Sequence, residues 1–562
     1  MNPTESTRPD CQISQTLPAE HSVFRSASIV SAAVFASRVT GLVREMIMAA
    51  LFGAAQAYDA FLLGFRIPNL TRDLFAEGAL SSAFVPVFSE YLTQRGRQAA
   101  AALANLVATA IILIVGGICC LGILLAPALV HLLAPGFHEV PGKFELAVRL
   151  TRIMFPFLLL VALAAQAMGI LNACNQFGVP ALASTFFNIG SVIFGLILGF
   201  VLGPQLGISA IEGMAWGVVA GGALQLLWQL PSLWREGFIF RPRLSGSDPG
   251  LRRILLLMGP AILGNAAVQI NVMVNTNFAS QIEDPIRGHN GPVSWLAYAF
   301  RFMQLPLGLF GVAIASATLP AISRNVAMQD LGAFRRTLAR SLSMVFLLTI
   351  PSSVGLMILG DSIVGAIYEF HRFDAYDTRQ TAIALSCYAV GLAGYAGIKV
   401  LNPAFYALGD SRTPMLISLS SVAINFCAVV LLLRYTRLGH AGLALANSAV
   451  ALAGGVLLFA IMRARLQGLY GRAIWSSLLR TVLASLAMGG AIWASSESLQ
   501  HWVGTSKPAR LLDLAISIPL GLTVFYCSAR LLKLQEIQDV QTAVLRPFSG
   551  WLLSLHAKMR KQ

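Results

Sequence analysis

The stretch FRIPNLTRDLFAEGALSSAFVP (residues 65–86) sets Arg66, Arg72, Asp73 and Glu77 inside an otherwise apolar segment. The chain around it has 562 residues, 56% hydrophobic and 12% charged, with a mean hydropathy of +0.71. Soluble domains carry about 25% charged residues, so this composition implies an integral membrane protein. A helix needs roughly 20 residues to cross the hydrocarbon core, and about fourteen apolar runs of that length lie between residues 24 and 533. None alternates between lipid-facing and lumen-facing residues as a barrel strand does, so the expected fold is all-α. A charge at the centre of such a helix costs about 2.5–3.5 kcal/mol, so the charges of residues 65–86 require a wet cavity or a partner.

Residues 1–23 are polar and lack the layout of a cleaved signal peptide, so the first apolar run is expected to remain as a helix. Six of the seven cysteines fall in apolar runs without metal-ligand spacing and read as small core residues. The net charge of +15 is explained by topology. With a cytoplasmic N-terminus, about 22 Lys and Arg fall in cytoplasmic segments and about 8 outside. Nucleic-acid binding is therefore set aside, and both termini are expected in the cytoplasm.

An internal repeat organises the runs. Phe65-Arg66, seven residues and Leu74-Phe75 recur as Phe300-Arg301, seven residues and Leu309-Phe310. Pro86 and Pro320 follow, Ala220-Gly221-Gly222-x-Leu224 recurs as Ala453-Gly454-Gly455-x-Leu457, and Leu171-Asn172 recurs as Leu401-Asn402, all at offsets of 230 to 235. The simplest reading is two parallel six-helix repeats with a substrate site between them, an arrangement used for alternating access. The expected organisation is a polar tail (1–23), an N-lobe of spans one to six (24–240), a C-lobe of spans seven to twelve (241–470), two further spans (471–535) and a basic tail (536–562).

The deepest cations are Arg38, Arg44, Arg66, Arg72, Arg301 and Lys399. Arginine stays protonated and offers a planar fork that suits phosphate, so the bias toward it favours a phosphate-bearing ligand over a cationic one. Asp59, Arg66 and Asp73 recur every seven residues on nearly one helical face, so Arg66 reads as a structural partner of those acids. Glu45 could pair with Arg38 in the same way. Arg44, Arg72 and Arg301 have no acid three or four residues away, and their partners come either from another helix or from the ligand. Any coupling acid is to be sought among Glu45, Asp59, Asp73 and Glu77. Asn265, Gln269, Asn271, Asn275 and Asn277 in span seven read as interhelical hydrogen-bonding groups, with sugar or peptide contacts as the alternative. Six histidines, among them His131, His138 and His440, lie near span ends and read as exposed loop residues.

Six blocks together carry a resemblance: ASRVTGLVRE (36–45), FGAAQAYDAFLLGFRIPNLTRDLFAEGALSSAFVPVFSEY (52–91), LLAPGF (132–137), MGPAILG (258–264), VSWLAYAFRFMQLPLGLFGVAIASATLP (293–320) and KVLNPAFYALGDSRTP (399–414). They closely resemble the MurJ (MviN) family of lipid II flippases, over about residues 24 to 535. The resemblance implies the multidrug/oligosaccharidyl-lipid/polysaccharide exporter fold, with two lobes around a central cavity and two extra helices forming a groove for a lipid tail. It implies transport of undecaprenyl-pyrophosphate-linked disaccharide-pentapeptide across the bacterial inner membrane for peptidoglycan synthesis, with no covalent chemistry. Carried over by motif, Arg38, Arg44, Arg72 and Arg301 match the family's essential cavity arginines and Asp59 its essential acid. Ser37, Asn69, Glu77 and Ser294 fall on neighbouring cavity positions.

Three positions depart from the family: Phe300 and Gln304 stand where many members carry acids, and Asp73 where many carry a base. No cofactor or metal is implied. Coupling to the membrane potential or a monovalent ion is left open, as is contact with the cell-wall synthesis machinery. The nearest rival is an exporter of another polyprenyl-pyrophosphate glycan or of drugs. A membrane-embedded phosphoglycosyl transferase would need clustered acids for Mg²⁺, and Glu283-Asp284 alone is too little.

Overall fold

The computed structural model describes residues 17–72, 80–245 and 248–538. Asp73 and Glu77 lie outside the described residues. Among those described, regular structure is helical apart from two isolated β-bridges. The elements used below are α1 (Leu17–Phe52), α2 (Gln56–Arg72), α3 (Lys143–Met154), α4 (Pro249–Gln281), α5 (Pro292–Pro306), α6 (Gly360–Tyr368), α7 (Arg412–Tyr435), α8 (His440–Arg465), α9 (Gly471–Val503) and α10 (Lys507–Leu531).

Ten helical segments among the described residues are long and apolar enough to cross a membrane. An eleventh is added when Ala375–Val390 and Leu392–Ala407, bent by 43° at their junction, are taken as one span. Helices α1, α2 and α4 fall outside that set. Helix α2 has only 17 residues, and the charged groups of α1 and α2 and the amides of α4 need protein partners.

The chain forms two compact units. The first comprises Met1–Glu45, Phe65–Leu125 and Leu150–Ile262. Its core gathers Phe84, Phe88, Leu103, Val107, Leu158 and Ile254. Helices Gly178–Leu196 and Ala210–Leu227 cross in near backbone contact, because a Cβ on Gly217 would stand 2.4 Å from the Ser191 carbonyl oxygen and one on Gly221 2.6 Å from that of Phe187. Small residues at four-residue spacing let membrane helices approach this closely. Gly221 belongs to the repeated Ala-Gly-Gly motif, and in its counterpart motif a Cβ on Gly455 would stand 3.4 Å from the Gly394 carbonyl oxygen. The repeated glycines therefore mark helix crossings.

The second unit comprises Met46–Gly64, Ala126–Arg149 and Leu263–Gln562. It thus holds short pieces of the first repeat: the end of α1, the start of α2 and residues 126–149. They are joined to it by close backbone contacts. Gly53, at φ +60°, ends α1, and a Cβ there would lie 2.4 Å from the Arg372 carbonyl oxygen. A Cβ on Gly136 would lie 2.0 Å from that of Ser280. Beside the first of these contacts, with the Tyr298 hydroxyl 3.4 Å from the Gly53 carbonyl oxygen, lies an aromatic cluster in which Tyr58 stacks on Tyr298 at 5.0 Å and Tyr298 meets Tyr368 at 4.7 Å.

Of the cysteines, Cys119 is buried, whereas Cys120, Cys427 and Cys527 are exposed on the protein surface. The core reading fails for those three because the surface of a membrane helix is itself apolar. His440 departs the other way: it is buried, its Nε2 3.0 Å from the Gln380 carbonyl oxygen and its ring 5.0 Å from that of Trp295.

Candidate functional site

In the first unit α1 carries Ser37, Arg38 and Arg44. Asn188 fixes its middle by donating to the Ser37 carbonyl oxygen at 3.1 Å and lying 3.3 Å from the Thr40 hydroxyl. Arg38 is exposed and Ser37 partly so. The Arg44 guanidinium lies over the Phe187 ring at 5.3 Å and the Phe65 ring at 6.0 Å. Such cation–π contact engages the faces of the guanidinium plane, whereas a phosphate is taken along its N–H edge. Arg72 is half-buried at the last turn of α2. Asn69, three residues earlier, keeps its Oδ1 buried without a hydrogen-bond partner. An orphaned buried amide oxygen costs about 1–3 kcal/mol.

In the second unit Arg301 is exposed on α5. Phe300 beside it packs edge-on against Tyr388 at 5.4 Å, so an aromatic contact occupies the place of the family's usual acid. Lys399 is exposed.

Asp59 is different, being fully enclosed. One carboxylate oxygen accepts from Lys143 Nζ at 2.9 Å and from the Gly291 N–H at 2.9 Å. The other accepts from the Ser294 N–H at 3.0 Å and its hydroxyl at 2.5 Å. The pairing expected between Asp59 and Arg66 is thus replaced by one with Lys143. Seven-residue spacing shares a helix face, but the cation that reaches the carboxylate comes from α3. Ser294 is equally buried. Lys143 completes its shell with the His289 carbonyl oxygen at 2.7 Å and Asn290 Oδ1 at 3.0 Å. Next to this cluster Asp377 accepts from Trp295 Nε1 at 3.0 Å.

Asn271, Asn275 and Asn277 of α4 hydrogen-bond between helices, as expected, while the side chain of Asn265 lies outside the described residues. Asn271 Nδ2 donates to Ser421 at 2.9 Å, Asn275 Nδ2 to Asn447 at 2.9 Å, and Asn425 Nδ2 to Asn275 at 3.1 Å. Asn277 donates to the Leu132 carbonyl oxygen at 2.7 Å. No group of three or more His, Cys, Asp or Glu among the described residues could hold a metal ion.

The helical membrane scaffold agrees with the comparisons. The profile of the family described as "Lipid II flippase MurJ" matches residues 48–512. The chain belongs to that family. The lipid II flippase MurJ of Burkholderia cenocepacia is 36% identical over 489 residues, 85% of this chain and 90% of the relative. The probable lipid II flippase MurJ of Vibrio cholerae is 33% identical over 531 residues, 93% and 98% of the two. A solved structure of a lipid II flippase MurJ in an inward closed conformation superposes with a TM-score of 0.73 at 26% identity, covering 90% of this chain and 99% of that one. An inward-facing multidrug transporter of the MATE family gives 0.60 at 15% identity over 78% of this chain and 94% of that one, a likeness of fold alone.

Reasoning from sequence singled out Asp59 and Ser294 without seeing that they touch, and it passed over Lys143 and Asp377. Lys143 follows Pro141-Gly142 at the mouth of a span, where a lysine reads as a loop residue.

Proposed function

We propose that this chain is a flippase that carries lipid II, the undecaprenyl-pyrophosphate-linked peptidoglycan precursor, from the cytoplasmic to the periplasmic leaflet of the bacterial inner membrane by alternating access. The family match over residues 48–512 carries the reading. Catalysis of a covalent step is not part of it.

Arg44, Arg72 and Arg301 are assigned to the pyrophosphate, with Arg38, Ser37, Asn69 and Glu77 around the headgroup. A diphosphate offers several acceptor oxygens to bidentate guanidinium groups. Asp59 and Ser294 would meet substrate only after their enclosed cluster opens. The chain would span fourteen times with both ends cytoplasmic, as two lobes (24–240 and 241–470) about a central cavity. Helices α9 and α10, outside the repeat, would hold the prenyl tail in an apolar groove while the headgroup crosses. The driving force would be the membrane potential or a monovalent ion, and the cell-wall synthesis machinery would receive the product.

Depletion of the protein in cells, with an assay for the leaflet that holds lipid II, tests the reading. Accumulation in the cytoplasmic leaflet is expected, and an unchanged distribution would overturn it. A drug exporter is disfavoured by the arginines, since cationic drugs call for acids and aromatics.

A further inference from the structure

We propose that Lys143 is a latch: by joining Asp59 to the connection that enters α5, it holds one end of the transport path shut, and the transport cycle requires this ion pair to break. For its cargo the inference rests on the flippase reading above. Its geometry stands apart from that reading.

Three segments remote in sequence meet at the pair. Lys143 opens α3, Asp59 lies in the first turn of α2, and residues 289–294 lead into α5. The ammonium has three protons and three oxygen acceptors: Asp59, the His289 carbonyl and Asn290. The Phe137 ring, 4.3 Å from the nitrogen, covers a further side. Asp59 accepts four hydrogen bonds, two of them from backbone N–H groups at the start of α5, where the helix dipole favours a negative charge. Both side chains are fully enclosed, whereas the arginines of the Arg97–Glu236 and Arg253–Glu90 pairs are 58% exposed. With every valence used, the closed cluster has no place for a ligand.

An enclosed pair of this kind has two favourable states. It is dry and closed, or open with both ions hydrated. Separation without water strands two charges and is strongly disfavoured. Opening is therefore coupled to flooding of that end, which makes the closure all-or-none. The neighbouring contacts, Gly53 against Arg372 and Gly136 against Ser280, bring backbones together but carry no charge, so the pair supplies the switch and the glycines the fit. Lys143 acts through Asp59 and α5, and is a positioning residue in this role.

The test uses the full chain with its native cysteines replaced by serine and Leu63→Cys as reporter. Leu63 is fully buried and lies one turn beyond Asp59 on the same helical face. Spheroplasts are treated with a membrane-impermeant maleimide, and lipid II translocation is measured in parallel. Lys143→Met and Asp59→Asn are each expected to raise the labelling rate at least about tenfold and to slow translocation. The double variant Asp59→Asn/Lys143→Met keeps no buried charge and remains readable if a single variant fails to insert. It should label no faster than the faster single variant, because the two residues act as one unit. Labelling of the double variant at the parent rate would overturn the latch. Faster labelling of the variants while the parent itself moves no lipid II would leave the latch standing and refute the cargo.

Discussion

The carboxylate of Asp513 on α10 accepts a hydrogen bond of 2.5 Å from Ser362 on α6. Ser496 of α9 donates to the same carboxylate at 2.8 Å and Ser517 of α10 at 2.7 Å. Arg510, one turn earlier, pairs with Glu369. A buried polar clasp thus fastens the C-terminal helices to α6. Asp513→Ala leaves three hydroxyls without their acceptor and should destabilise the protein by about 1–3 kcal/mol, read as a lower midpoint of thermal unfolding in detergent. Asp513→Asn, which keeps an acceptor oxygen, should lose less.

Replacing Arg44, Arg72 or Arg301 with Ala should abolish support of growth while membrane-inserted protein persists. Lys should rescue poorly, because a point charge cannot supply the planar fork. Arg66→Ala should be milder. Complementation scored beside immunoblots of membrane fractions separates loss of function from loss of protein. Wild-type binding of lipid II by the Ala variants, with loss of one of the two access states, would reassign these arginines to gating.

Gly217→Val should prevent close crossing of helices Gly178–Leu196 and Ala210–Leu227, since even a Cβ meets the Ser191 carbonyl oxygen at 2.4 Å. Overpacking of a tight helix pair costs about 1–3 kcal/mol and often more. Gly490→Val has nothing within 4 Å of its Cβ and serves as the control. Yields of monodisperse protein after extraction give the comparison.

Asp410 caps the start of α7 from the connection before it. Hydrogen bonds from the Thr413 N–H at 3.0 Å and its hydroxyl at 2.7 Å, with the Arg465 guanidinium beside them, hold its carboxyl at about 2. A depressed carboxylate contributes stability that is present above its unfolded value near about 3.9 and is lost as pH falls through the folded value. The stability gap between the parent and Asp410→Asn should therefore stay constant from pH 8 to 5 and close below about pH 4. A gap that changes between pH 6 and 8 would point to another group.

The arginines were legible because a charge in an apolar run stands out against its neighbours, and the helical fold because composition and run length leave little else. The asparagines of α4 were legible for the same reason. Lys143 was not, because its oxygen partners lie 84 and 146 residues away and no local spacing reports them. Asp513 escaped notice in a similar way: a single acid in an apolar run has no pattern, and its serines come from three helices. Sequence marks groups that need partners, and only the fold chooses the partners.

The asparagine ladder of α4 also sets a timetable for synthesis. Its acceptors on α7 and α8 lie 150 and 172 residues further along the chain, so a ribosome adding about 5–20 residues per second delivers them roughly 10–30 s after α4 emerges. Through that interval the amides of Asn271 and Asn275 must be screened by the insertion machinery or by water, because lipid offers them nothing. Membrane integration of α4 is therefore expected to be completed late, when α7 and α8 arrive.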